Sequence, residues 1–181
     1  MIILGVDPGT ATTGYGVIKI ETQSASWRTK LRADAIRVLD YGCIITEPDK
    51  SAGDRLKKIS IDLNKLIRTH KPDVLAVENL YFFKNLKTAL PVSQAKGVIL
   101  LAAARKNIPV YEFTPLQVKM AVTGYGKAEK KQVQKIVENL LKLKDVPQKK
   151  DQKKDDATDA LGIALCYLAS NKKITFDICL S

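Results

Sequence analysis

The stretch Ile2-Ile3-Leu4-Gly5-Val6-Asp7-Pro8-Gly9 decides how the rest of the chain is read. Ile2–Val6 is an apolar run of strand length that ends on a carboxylate, and Pro8-Gly9 marks a turn. A strand this apolar is buried, so Asp7 is delivered to the rim of a core. Working outward, Tyr15–Ile20 and Ile36–Ile45 read as two further strands. The polar, basic segment Gln23–Asp34 between them reads as a hairpin extension. Leu56, Ile59, Leu63, Leu66 and Ile67 recur at helical spacing and predict a helix over about 52–69. Val74-Leu75-Ala76-Val77 is short and wholly apolar, as a strand covered on both faces is, and it delivers Glu78.

The second half is mostly helical. Val92, Ala95, Val98, Ile99, Ala102 and Ala103 predict a helix with Pro91 at its first position. Val110–Phe113 reads as a strand. Thr114-Pro115-Leu116-Gln117 carries a capping-box pattern, with Gly124 as the stop. Val133, Ile136, Val137, Leu140 and Leu141 form the stripe of another helix, Lys144–Lys154 reads as a polar loop, and a last helix spans about Asp155–Ala169. Three consecutive strands pair antiparallel and the helix-linked ones parallel, because crossovers are right-handed. The expectation is an α/β fold with a mixed sheet flanked by helices.

The 181 residues suit one domain over 1–181, able to bury about 70% of its unfolded surface. An apolar fraction of 45% with 27% charged excludes a wholly disordered chain. The longest apolar run, Val98–Ala104, is too short to span a membrane. Met1–Leu4 lacks the pattern of a secretory signal, which predicts a cytoplasmic protein with no membrane partner. Cys43, Cys166 and Cys179 are widely spaced and His70 is the sole histidine, so neither a disulfide framework nor a zinc site is indicated. Net charge is +11, and the span Arg105–Lys154 holds thirteen basic and five acidic residues. A one-sided basic surface points to a polyanion, nucleic acid before membrane, although a basic surface can also be inert.

Against that charge, four acids stand where folding alone would not place them. Asp7 and Glu78 end buried strands, while Asp156 and Asp159 lie three apart on one face of the last helix. Each has a plainer account. Asp7 could belong to a turn, Glu78 could be solvated at a strand end, and Asp155 and Asp156 could cap a helix. Asp159 lies past the first turn, so capping does not explain it. If the four converge, they repel unless protonated or neutralised by cations. An all-oxygen ligand set favours Mg²⁺ or Mn²⁺, two ions balance four carboxylates, and such a pair promotes phosphodiester hydrolysis.

Among the basic residues, Lys127, Lys130 and Lys131 gather at a helix start, where the dipole disfavours cations but binds phosphate. Their plainer account is a solvated cluster offset by Glu129. In Tyr81-Phe82-Phe83 one or two rings are expected in the core, and Tyr81, with Lys84 and Lys87 nearby, is a candidate to stack on an unpaired base.

Five motifs then occur in a telling order. They are Gly5-Val6-Asp7-Pro8-Gly9-Thr10, Val77-Glu78-Asn79, Ser93-Gln94-Ala95-Lys96-Gly97, Val122–Lys130 and Asp156-Ala157-Thr158-Asp159-Ala160-Leu161. Together they resemble the RuvC-type Holliday junction resolvases over nearly the whole chain. The resemblance implies an RNase H-like fold, a homodimer, and paired symmetric nicks in four-way DNA junctions during recombination and repair. It implies Asp7, Glu78, Asp156 and Asp159 as catalytic acids holding two Mg²⁺, with Mn²⁺ as a substitute. It also implies Lys119 and Lys130 as lysines near the scissile strand, Tyr81 as an aromatic at the junction core, and a branch-migration motor as a possible partner. Lys84, Lys87, Lys127 and Lys131 complete the expected DNA-binding set. The chain departs from the family pattern in the insertion around Ser24–Asp34, in Pro91, and in the extra Asp155.

Three other readings compete. Asp7–Gly14 also looks like the first phosphate loop of the actin and sugar-kinase superfamily, whose two lobes need more than 181 residues. A non-catalytic junction-binding protein would keep the lysines but need no interior acids. An RNase H-like nuclease for flaps, replication forks or RNA–DNA hybrids would keep both.

Overall fold

The computed structural model describes residues 1–21, 35–79, 86–146 and 154–172. Five strands, β1 (Ile2–Asp7), β2 (Thr12–Ile20), β3 (Ile36–Ile45), β4 (Val74–Glu78) and β5 (Val110–Phe113), form one sheet in the order β3-β2-β1-β4-β5. β1 pairs antiparallel with β2, and β2 with β3; β4 runs parallel to both β1 and β5. The helices are α1 (Ala52–His70), α2 (Leu86–Ala104), α3 (Pro115–Thr123), α4 (Lys130–Leu140) and α5 (Lys154–Lys172). Among the described residues, no helix is long and apolar enough to cross a membrane.

The period-two alternation of the strands sorts the core into two layers. Leu4 and Val6 of β1, Tyr15 and Val17 of β2, and Leu75 and Val77 of β4 pack with α1 and α2 on one face. Ile3, Ile18, Val74 and Ala76 pack on the other face with α3, α4 and α5. That second face contains Gly5, Gly14 and Gly16, and there α5 lies directly on the strands. A Cβ at Gly5 would overlap the Ala160 carbonyl, one at Gly14 the Asp156 carbonyl, and one at Gly16 the Leu161 side chain. α5 is accordingly buried almost continuously from Ala157 to Leu168.

Local signals set several boundaries. Thr114 and Gln117 exchange backbone and side-chain hydrogen bonds in a capping box, Pro115 opens α3, and Gly124 closes it at φ 71°. Three expectations need correction. β2 begins at Thr12 rather than Tyr15, because Thr12 and Thr13 already pair with Ile45 and Ile44 of β3. α2 begins at Leu86, with Pro91 inside it, because buried Ala89 extends the Val92–Ala95–Ile99 stripe backwards. The expected Lys144–Lys154 loop opens inside a 3₁₀ turn, Leu143–Asp145, that buries Leu143, and residues 147–153 of it lie outside the described residues. The expected Gln23–Asp34 extension lies outside the described residues.

Candidate active site

Alternation also aims the two strand-end acids. Ile3, Gly5 and Asp7 share one face of β1; Val74, Ala76 and Glu78 share the same face of β4. The parallel register pairs Gly5 with Ala76 and Val6 with Val77, and so brings Asp7 alongside Glu78. Both carboxyls therefore point to the side where α5 lies. Because the glycine floor holds α5 against β1 and β2, Asp156 and Asp159 come down over Asp7. Carboxylate oxygens of Asp7, Asp156 and Asp159 all lie within 4.8 Å of one another, and Glu78 is hydrogen-bonded to Asp7. Asp155, one residue from this group, is exposed and outside it.

Electrostatics follow from this crowding. Burial, then the charges of Glu78, Asp159 and Asp156, raise the Asp7 pKa from 3.8 to about 8, against a smaller downward pull from Lys130. Glu78 is also raised, by burial and by Asp159, with the Asp7 hydrogen bond and Lys130 opposing. Among the described residues, four acids with Lys130 at hand leave an excess of negative charge that a bound cation would neutralise. The donor set is all oxygen and fits a hard divalent metal ion.

α4 supplies the remaining contacts. Lys130 Nζ lies 2.6 Å from Asp159 Oδ2, and Gln134 Nε2 donates to Asp159 Oδ1 at 3.0 Å and to the Asp155 carbonyl at 3.4 Å. Lys130 and Gln134 are one helical turn apart, so a single face of α4 holds both Asp159 oxygens. Burial depresses the Lys130 ammonium, but the Asp159 hydrogen bond and the charges of Asp159, Asp156 and Asp7 outweigh it and raise its pKa. The lysine that the helix dipole disfavours thus has a partner within the fold, which stability reasoning from sequence did not supply. At the same helix start, Glu129 and Gln132 form a capping box.

The other expected residues are more dispersed. Lys119 is half-buried on α3, and Lys127 and Lys131 are exposed on either side of the α4 start. Tyr81 and Lys84 fall outside the described residues, as does the side chain of Lys87. Two contributors were missed from sequence. Gln134 borders the Val133–Val137 stripe, a position from which a side chain can reach a neighbouring helix. Lys96, within a motif noted above, pairs with Glu112 Oε2 at 2.6 Å and donates to Asn79 Oδ1 at 3.1 Å, beside Glu78.

Residues 3–167 match the family described as Crossover junction endodeoxyribonuclease RuvC. A protein of that name from Desulforamulus reducens is 49% identical over 167 residues, covering 92% of this chain and 93% of its own. Another from Fusobacterium nucleatum is 42% identical, covering 97% and 85%. The fold superposes on T. thermophilus RuvC in complex with a Holliday junction substrate with TM-score 0.79 and 30% identity, covering 96% of both chains. A yeast mitochondrial Holliday junction resolvase shares the fold at TM-score 0.62 and 15% identity, over 94% of this chain and 80% of its own. With these likenesses spanning sheet and acid group alike, the chain belongs to the RuvC family of crossover junction endodeoxyribonucleases.

Proposed function

We propose that residues 1–181 act as one nuclease domain that resolves four-way DNA junctions by paired nicks, with Asp7, Glu78, Asp156 and Asp159 as its Mg²⁺ ligands. The observation that carries this reading is the convergence of Asp7, Asp156 and Asp159 within 4.8 Å, with Glu78 bonded to Asp7. These carboxylates would hold two Mg²⁺ ions, or Mn²⁺ in the same oxygen set, which would supply Lewis acidity for phosphodiester hydrolysis. Asp7 lies close to Glu78 and to both α5 acids and would be the ligand common to the group. Lys130 and Gln134 fix the rotamer of Asp159, and the Lys130 ammonium adds positive charge beside the phosphate. Lys119, Lys127 and Lys131 hold flanking phosphates, and Tyr81, Lys84 and Lys87 meet the junction core.

Paired nicks call for two sites related by a two-fold axis, hence a homodimer. The candidate interface is the small-residue stretch of α2 around Gly97–Ala103: its Ala102 and Ala103 are buried against the chain's own core, while its Gly97 and Leu101 are exposed on one helical face in line with exposed Leu90. Sedimentation at micromolar concentration tests it: a monomer with and without junction DNA would reject the homodimer. The reading places the enzyme in the cytoplasm, with branched DNA as partner and a branch-migration motor as a possible second one.

One gel tests the activity. Synthetic four-way junctions, flaps, RNA–DNA hybrids and plain duplex are each incubated with Mg²⁺ or EDTA. Symmetric nicks in the junction with Mg²⁺ alone are expected. Binding without cutting would favour a non-catalytic protein, and preference for flaps or hybrids would favour another nuclease of the same fold.

A further inference from the structure

The face of α3 that looks away from the core is apolar where a solvated helix face would be polar. Leu116, Met120 and the following Tyr125 are 59%, 50% and 59% exposed. Leu116, Lys119, Met120 and Thr123 share that face, opposite buried Val118 and Val122. Tyr125 is not a loose loop residue. Its N–H donates to Thr123 Oγ1 at 3.0 Å, its carbonyl accepts from that hydroxyl at 2.9 Å, and the same carbonyl accepts from the Ala128 N–H at 3.1 Å. At the next residue, the Gly126 backbone lies so close to Leu116 and Met120 that a Cβ would overlap the Leu116 side chain. The loop is thus braced, while its aromatic ring faces solvent.

We infer that Tyr125, on the loop braced against exposed Leu116 and Met120, is a stacking platform for an unpaired base of the DNA substrate. Three features select DNA over a protein occupant. The patch is rimmed by Lys119 and Lys127, cations that suit a phosphate backbone and are depleted from protein interface centres. An aromatic face takes any base, so no sequence readout is needed. Tyr125 also precedes Lys130 by five residues, which bounds their separation at about 18 Å. Lys130 touches the acid group through Asp159, so a base on the platform lies within reach of DNA engaged at the acids. The inference rests on the junction-cutting function proposed above and adds a second aromatic contact, distinct from Tyr81.

The test uses the full chain in EDTA, with a synthetic four-way junction and a plain duplex as probes. Tyr125→Ala is expected to weaken junction binding roughly 5- to 150-fold while leaving duplex binding unchanged. Tyr125→Phe and Tyr125→Trp restore the junction affinity and Tyr125→Leu does not, because the π face is what acts. Unchanged junction affinity in Tyr125→Ala would overturn the platform, and so would equal loss on duplex. A shift in sedimentation with junction affinity intact would make the patch a protein interface instead. Wild-type cutting of the junction with Mg²⁺ is run alongside: its failure sinks the junction-cutting reading, whereas failure of the Tyr125 series alone sinks only the platform.

Discussion

Lys130 and Asp159 meet at 2.6 Å across the α4–α5 interface, so the lysine that, among the described residues, lowers both Asp7 and Glu78 by its charge is anchored to another acid of the group. A carboxylate has about four lone-pair positions, which leaves Asp159 able to serve Lys130, Gln134 and a cation at once.

Lys130→Ala removes an ion pair whose lysine is largely exposed, so the stability cost is at most about 1 kcal/mol. Its expected effect is on DNA. Junction binding weakens, and the slope of log K against log salt falls by about one phosphate contact. An unchanged slope in a salt titration would remove Lys130 from the phosphate contacts.

Asp7→Asn keeps the shape of the site and deletes its most strained charge. Cleavage falls to background while junction binding by gel shift stays near wild type. Without metal at pH 8 the variant melts about 2–8 °C higher, as relief of some 1–2 kcal/mol predicts for a chain this long. Retained cutting would reject the role of Asp7.

The stability of the metal-free protein carries the same signature against pH. Asp7 releases its proton near pH 4 when unfolded and only at about 8 when folded. Between those values the folded state binds more protons, so this contribution is fully present below pH 4, declines as pH rises, and is gone above 8. Glu78, also raised, acts in the same direction. Urea unfolding in EDTA at pH 5 and 8.5 should show wild type losing ground to Asp7→Asn as pH rises. A constant difference between the two would contradict the crowding of the acids.

Gln134→Ala leaves Asp159 Oδ1 without its donor. Loss of such an orienting contact is expected to lower Mg²⁺ affinity or cleavage about 10- to 100-fold with junction binding intact. Gln134→Glu should be worse, since it adds a further negative charge to the group. Mg²⁺ titration of the cleavage rate is the measurement.

The capping box at Thr114 and the stop at Gly124 were legible because caps are made by neighbours in sequence. Asp7, Glu78, Asp156 and Asp159 were legible for another reason: a charge inside or at the end of an apolar run needs an explanation beyond packing. The true start of α2 was not, since the rule for proline favours the first turn, and only burial of Ala89 against the core extends the helix past it. Gln134 and the Lys130 pair were hidden because they depend on how α4 is rotated against α5. The exposed Leu116–Met120 face of α3 was hidden too, since apolar residues on a helix are read by default as core.

Gly5 and Gly14 leave main chain against main chain beneath α5, and Gly16 admits the Leu161 side chain beside them. Interiors ordinarily absorb change by repacking side chains, and at this floor there are almost none to repack. A methyl group added at Gly14 would be passed on undamped to Asp156, as a shim under a ruler shifts every mark on it. The separation of the acids is therefore inherited from the thickness of two polypeptide backbones, a dimension that drift in the surrounding core leaves untouched.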